Sequence, residues 1–426
     1  MIIHTVSQGD SVYSIARRYG VPASSIIEAN QLENPSALIV GQALVVPGEL
    51  SAHTVARGES LYSIARNYNA SVTALQGLNP QITNPANLQI GQTVIVPQAA
   101  PKLGTILVNG YAFPNIRNEV LQSTLPYLSY LSIFSYQVRE DGSLKTIPDA
   151  LLTEAARNAN VAPMMVITNI EEGASFSSEL AHTILNSEAI QDTLLDNVVA
   201  VLQEKNYSGL DVDFEYVYPE DRENYVNFMK KITDRLHPLG YTVTVALAPK
   251  TRADQPGLLY EAHDYAALGA LVDHVILMTY EWGYTYGPPM AVSPLPEMRR
   301  VLDYAVTAIP SYKILMGMPN YGYDWTLPFV QGSAARSLSN TAAVEQARNV
   351  GAHIQFDSRS QTPFYYYYSS DGRRHVVWFD DARSIQAKLK LVDDYSLGGV
   401  SYWTINSFFP QNWQVLSSMY DVQKVL

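Results

Sequence analysis

Hydrophobic and polar positions follow two different regimes along the chain, and the change falls near residue 100. Before it, one pattern is written twice at a spacing of about 49 residues. Each copy carries a helical stripe at i, i+3, i+4, i+7. The stripe is Val12, Ile15, Ala16 and Tyr19 in the first copy and Leu61, Ile64, Ala65 and Tyr68 in the second. Short apolar runs, Ala43-Leu44-Val45-Val46 and Thr93-Val94-Ile95-Val96, close the copies, and Pro47 and Pro97 stop them. Each copy is expected to fold as strand, helix, helix, strand, over residues 2–47 and 52–97. Gly48-Glu49-Leu50-Ser51 would join them, and Gln98-Ala99-Ala100-Pro101-Lys102 would lead into the rest.

From residue 103 onward, apolar runs alternate with helical segments at the spacing of βα units. Strands are predicted to begin at Thr105, Leu128, Pro163, Gly209, Thr242, His274, Lys313 and Gly399. Eight such units close a (β/α)8 TIM barrel, which takes roughly 250 residues plus insertions. The surplus falls between the last two strands, at about 331–380. Tyr365-Tyr366-Tyr367-Tyr368 and Val376-Val377-Trp378-Phe379 mark it as a small α+β insertion. The fold expected is α/β: two βααβ modules and then a barrel over 103–426.

The fourth strand carries the chemistry. In Ser208-Gly209-Leu210-Asp211-Val212-Asp213-Phe214-Glu215-Tyr216 apolar residues alternate with acids. Strand periodicity puts Asp211, Asp213 and Glu215 on one face, and Leu210, Val212, Phe214 and Tyr216 on the other. Crowded carboxyls raise the proton affinity of at least one member. An acid that keeps its proton near neutral pH can protonate a leaving group. A calcium site or a solvated edge strand is the competing reading of these residues. Barrel enzymes work at the C-terminal ends of their strands. There the sequence also places Tyr280 and Glu281 after the sixth strand, Asn320 and Tyr321 after the seventh, and Trp403 at the end of the eighth.

Composition narrows the classes. The 426 residues are 47% hydrophobic and 16% charged, enough for more than one packed core. A net charge of −12 argues against a nucleic-acid partner. With no cysteine, disulfides and thiolate chemistry are excluded. No apolar stretch is long enough to span a bilayer. Met1-Ile2-Ile3-His4 lacks the basic start of a secretory signal, so no signal peptide is expected. The histidines are scattered away from the acids, so no metal and no cofactor is expected. A serine-hydrolase elbow is missing as well.

The repeats resemble LysM modules on His4-Thr5-Val6 returning as His53-Thr54-Val55, and on Tyr13-Ser14-Ile15-Ala16-Arg17 returning as Tyr62-Ser63-Ile64-Ala65-Arg66. That resemblance implies binding of N-acetylglucosamine glycans such as peptidoglycan and chitin. The loop before the first helix would contribute Gly9, Asp10 and Ser11, or Gly58, Glu59 and Ser60. The loop before the last strand would contribute residues around Ile39 and Ile90. Helix capping alone would also favour Asp and Ser in the first of these loops.

From residue 103 to the end the chain resembles glycoside hydrolase family 18, the chitinase-like enzymes. The resemblance rests on Gly209-Leu210-Asp211-Val212-Asp213-Phe214-Glu215, on Met278-Thr279-Tyr280-Glu281 and on Gly398-Gly399 through Trp403. It implies that Glu215 is the acid and later the base, and that the substrate's own acetamido oxygen is the nucleophile. Asp213 would hold the acetamido N–H, Asp211 would share a proton or hydrogen bond with Asp213, and Tyr280 would donate to the acetamido group. Trp403 would lie under the sugar, with Glu281, Asn320 and Tyr321 shaping the subsites. Ser208 and Glu281 stand where the family often has aspartate. The third strand ends Thr168-Asn169-Ile170 in place of a glycine-rich turn, which argues against a typical chitin substrate. Two modules ahead of this barrel resemble the glucosaminidases that act on spore cortex fragments in endospore-forming bacteria. The expectation is a monomeric N-acetylglucosaminidase of spore peptidoglycan with no nucleic-acid or membrane partner. It would be made in the mother cell and deposited on the spore coat or cortex, or else on the cell wall. A chitinase or general wall hydrolase is the alternative activity, and an inactive glycan-binding protein is the alternative of another class.

Overall fold

All eight strands predicted beyond residue 103 form, and all pair in parallel around a closed barrel. They are β1 (Gly104–Ala112), β2 (Tyr130–Val138), β3 (Ala162–Thr168), β4 (Gly209–Asp213), β5 (Thr242–Leu247), β6 (His274–Leu277), β7 (Ile314–Pro319) and β8 (Gly399–Trp403). Closure is between β1 and β2, with Asn109 opposite Tyr130. The computed structural model describes residues 1–48, 50–68, 72–82, 84–85, 88–97, 101–171, 173 and 175–426. The linker positions Glu49, Gln98, Ala99 and Ala100 lie outside the described residues.

Both faces of each barrel strand are covered, which is why most of the strands read as apolar runs; β4 differs in carrying Asp211 and Asp213. Leu107, Met164, Val166, Ala246 and Ile276 share the inner cluster. Leu210, Val212 and Phe214 of the fourth strand face outward into the helix layer, where Phe214 stacks on Tyr225 and Phe228. Two short strands were not legible in the pattern. Leu144–Lys145 pairs antiparallel with β2, and Tyr420–Val422 pairs in parallel with the start of β1.

The insertion is a five-stranded antiparallel sheet with one helix, Asn340–Asn349. Its first strand is Gly322–Leu327, so the sheet starts earlier than the expected 331. An acid in mid-strand, Asp324, disguised that segment. It is buried, and it accepts hydrogen bonds from Arg336, Gln346 and Tyr367 with His375 Nδ1 at 2.9 Å. The tyrosine run alternates as a strand should: Tyr365 is buried and Tyr366 exposed.

In module 1, Ile2–Thr5 pairs antiparallel with Ala43–Val46, and helices Val12–Tyr19 and Ala23–Asn30 lie between them. Module 2 repeats this with Leu50–Thr54, Thr93–Pro97 and helices Leu61–Asn67 and Val72–Leu78. One side chain fixes each module's closing strand. Asn30 donates to the carbonyls of Ile26 and Val45 at 2.8 and 2.7 Å and accepts the Val45 N–H at 2.8 Å. Asn79 does the same with Leu75 and Ile95.

The polar side chains expected to meet glycan are committed inside their own modules. Ser11 and Ser60 cap the first helices, accepting from the N–H of Ser14 and Ser63. Asp10 accepts from the Ser7 N–H and lies 2.9 Å from His4 Nε2, and Glu59 does likewise with Ala56 and His53. Gly9 and Gly58 sit in open left-handed turns beside them. Ile39 departs from expectation: it is buried against the inserted sheet of the barrel.

Candidate active site

The acids of β4 come together at the C-terminal mouth of the barrel, in a cleft of about 710 Å³. Asp213, Glu215, Tyr280, Glu281 and Trp403 all line it. The strand ends at Asp213, so Glu215 stands two residues beyond the ladder and not on it. Tyr216 then turns in a left-handed conformation, φ 55°. That turn takes Tyr216 out of the face it was expected to share with Phe214. Its ring is exposed and lines the cleft.

Asp211 lies deepest. Tyr111 donates to one of its oxygens at 2.5 Å and Thr244 to the other at 2.7 Å. Burial pushes the Asp211 carboxyl up to about 6, and the two hydrogen bonds oppose that rise. Asp213 is buried, and its Oδ1 has no hydrogen-bond partner among the described residues. Burial, then the charges of Glu215 and Asp211, hold its proton far above the usual carboxylate range. Glu215 is pushed up to about 7, first by burial and then by the charge of Glu281. The group shares protons through neutral pH, as a set of coupled carboxyls does.

Tyr280 is buried beside these acids, and burial followed by the charges of Asp213 and Glu215 keeps its hydroxyl protonated. A glycine across the strand makes room for its ring: a Cβ at Gly317 would come 2.8 Å from Tyr280 Cε1 and 2.4 Å from the Leu277 carbonyl oxygen. Trp403 lies edge-on to Phe134, Tyr111 and Phe113, with ring centres 4.9, 5.3 and 5.7 Å away. Ser208 is at the opposite end of β4, where Arg157 donates to its hydroxyl at 3.2 Å, so its departure from aspartate does not touch the mouth.

Residues 94–407 match the family described as Glycosyl hydrolases family 18, and residues 4–47 and 53–97 each match the LysM domain. The chain belongs to glycosyl hydrolase family 18. It is 43% identical to a cortical fragment-lytic enzyme of Bacillus subtilis strain 168, across 100% of this chain and 99% of that one. Among solved structures, the spore cortex-lytic enzyme SleL of Bacillus megaterium QM B1551 is 40% identical with a TM-score of 0.88, covering 100% of this chain and 99% of that one. A chitinase of Chromobacterium violaceum is 25% identical with a TM-score of 0.68, over 74% of this chain and 98% of its own.

In this family-18 chain the rim residues divide. Tyr321 donates to the Glu281 carboxylate, and Tyr323 donates to it at 3.1 Å. Burial raises Glu281 and these two hydroxyls counter the rise. Asn320 lines a pocket with Glu281, Tyr321 and Trp403, and it donates both amide hydrogens to the carbonyls of Thr404 and Ser407, at 2.9 and 2.8 Å. It fixes the loop that follows Trp403.

Two residues that hold Glu215 escaped sequence reasoning. Asn169, buried at the end of β3, accepts the Glu215 N–H at 3.0 Å and donates to the Glu215 carbonyl at 2.8 Å. His263 accepts the Ala248 N–H on Nδ1 at 2.9 Å, so its Nε2 carries the hydrogen and donates to the Phe214 carbonyl at 3.0 Å. Burial holds that imidazole neutral, down to about 4. The only sequence signal was the Thr168-Asn169-Ile170 ending itself, where a polar amide stands after an apolar strand.

Proposed function

We propose that this family-18 chain hydrolyses glycosidic bonds at N-acetylglucosamine in spore cortex peptidoglycan, with cortex fragments as its substrate. The observation that carries the reading is Glu215, a carboxyl lifted to about 7 beside a buried Asp213 oxygen that has no partner among the described residues. The names of the full-length relatives support the choice of cortex as substrate. The functional units proposed are the modules at 2–47 and 52–97 and the barrel at 103–426, working as a monomer at the spore after synthesis in the mother cell.

The chemistry follows from the groups present. Protonated Glu215 gives its proton to the glycosidic oxygen as the bond from C1 to that oxygen breaks. The oxygen of the substrate's 2-acetamido group forms a bond to C1 from the other face, giving a positively charged oxazolinium. Asp213 Oδ1 accepts the acetamido N–H, and the negative charge that the coupled carboxyls of Asp211 and Asp213 share faces the new positive charge. Tyr280 donates its hydroxyl to the acetamido group and keeps it aligned. Trp403 supplies an apolar surface for the sugar ring, and Glu281 with Tyr321 bounds the neighbouring subsite. Glu215, now a carboxylate, takes a proton from water as the water oxygen bonds to C1 and opens the oxazolinium. Two inversions leave the configuration retained.

Mass spectrometry of products released from purified cortex fragments and from chitin oligomers tests the substrate. Faster release from cortex fragments, with N-acetylglucosamine at the new reducing end, is expected. A preference for chitin oligomers would overturn the choice of substrate and leave the chemistry standing.

A further inference from the structure

We infer that the two LysM modules do different work: module 1 is a fixed part of the catalytic body, and module 2 alone takes the N-acetylglucosamine glycan. The inference rests on the reading that these modules bind wall glycan. It comes from comparing one loop in its two copies.

The loop before the closing strand is superposable by its hydrogen bonds. Ile39 N–H donates to the Gln42 side chain at 3.2 Å, and Gln89 N–H donates to the Gln92 side chain at 3.0 Å. Ile39 therefore corresponds to Gln89, Val40 to Ile90 and Gly41 to Gly91. Both glycines are left-handed, at φ 86°. The backbone is the same and the surroundings are opposite.

In module 1 the barrel occupies this loop. Ile39 is only 7% exposed, packed with Leu338, Ala347, Ile354 and Phe379 of the insertion and its border. The Ile354 N–H donates to the Val40 carbonyl at 3.0 Å, and Arg383 donates to the Gly41 carbonyl at 3.1 Å. A Cβ on Gly41 would lie 1.7 Å from the Ile354 carbonyl oxygen, so no side chain fits between them. Arg348 donates to the Ala37 carbonyl at 2.9 Å, and Gln411 to Asn30 and the Ala43 carbonyl at 2.8 Å each. A glycan cannot reach a loop whose carbonyls and apolar side chain are already in use.

In module 2 the same loop is open. Ile90 is 69% exposed, and among the described residues nothing lies within 4 Å of a Cβ placed on Gly91. Ala43 is buried where its counterpart Thr93 is exposed. A large aliphatic side chain standing in water beside polar Gln89 fits the apolar face of a sugar ring and its flanking hydroxyls. Module 2 also sits on module 1, with a Cβ at Gly77 coming 2.6 Å from the Arg17 carbonyl oxygen. The single glycan site is thus held at a set distance from the cleft.

Hydrogen exchange of the full chain carrying Glu215→Gln, with and without N-acetylglucosamine hexamer, tests this directly. Amides of residues 88–92 should slow by about fivefold or more on adding the hexamer. Those of 38–42 should be slow from the start and unchanged. New protection at 38–42, or none at 88–92, overturns the inference. As a second measure, Ile90→Asp should weaken sedimentation with insoluble cortex peptidoglycan by about tenfold or more, since it puts a charge where an apolar surface meets sugar. Sedimentation equal to the parent would again overturn the inference. Failure of the parent chain to cleave cortex fragments, with the footprint at 88–92 intact, would sink the enzymatic reading and leave the division of the modules in place.

Discussion

The side-chain amide of Asn169 clasps the backbone of Glu215 at both its N–H and its carbonyl, at 3.0 and 2.8 Å. Glu215 has left the strand ladder by that point, so this clasp replaces the sheet as the thing that aims its carboxyl. Asn169→Ala should keep the fold and lower kcat by about 10- to 100-fold, with KM within about twofold, as expected when the reacting group is misplaced. Steady-state kinetics beside a melting curve check this. A rise in KM with kcat unchanged would show that Asn169 serves binding and not aim.

Glu281 sets where the acid stops working. Its charge adds to burial in raising Glu215 to about 7. Activity needs Glu215 protonated, so kcat/KM should fall as pH rises through about 7. Glu281→Gln removes one of the two causes, and the alkaline limb should move to lower pH. A limb that stays in place, or moves upward, would show that Glu281 does not act on Glu215 through charge.

The clustered carboxyls weaken the fold at high pH. Asp211 and Glu215 are raised from 3.8 and 4.5 to about 6 and about 7, and Asp213 is raised as well. The folded chain therefore binds more protons than the unfolded chain between those values. Stability falls as pH rises through that window, and the full penalty is present above it. Glu215→Gln should be more stable than the parent at pH 8 by about 1–3 kcal/mol and nearly equal at pH 4. Thermal or urea unfolding at the two pH values reads this out.

Removing the modules should cost more than wall binding. A chain beginning at Leu103 leaves bare the surface that Ile39 and Ala43 cover, including Ile354, Phe379 and Gln411. It should melt lower than the full chain by several degrees, from the apolar area returned to water. An unchanged melting temperature would show that module 1 adds nothing to the barrel.

Much of this architecture was legible because apolar periodicity is a local signal. All eight barrel strands stand where they were expected, most of them on apolar runs and the fourth on its alternation of apolar residues and acids. The repeat was legible because Asn30 and Asn79 do one job twice. What escaped was set by distant contacts. Nothing in the local pattern shows that Asp324, in mid-strand, is held by Arg336, Gln346, Tyr367 and His375. Ile39 reads as an exposed loop residue until the insertion closes over it, and no pattern within module 1 itself can announce that.

One kinetic comparison bears on the whole account more directly than any other. Turnover of N-acetylglucosamine hexamer or cortex fragments by Glu215→Gln should fall by at least about 10³-fold, while the affinity for the glycan and the melting temperature are kept, because a proton donor is lost and nothing else changes. Turnover within about tenfold of the parent would mean that the proton comes from another group and that this site does not work as described.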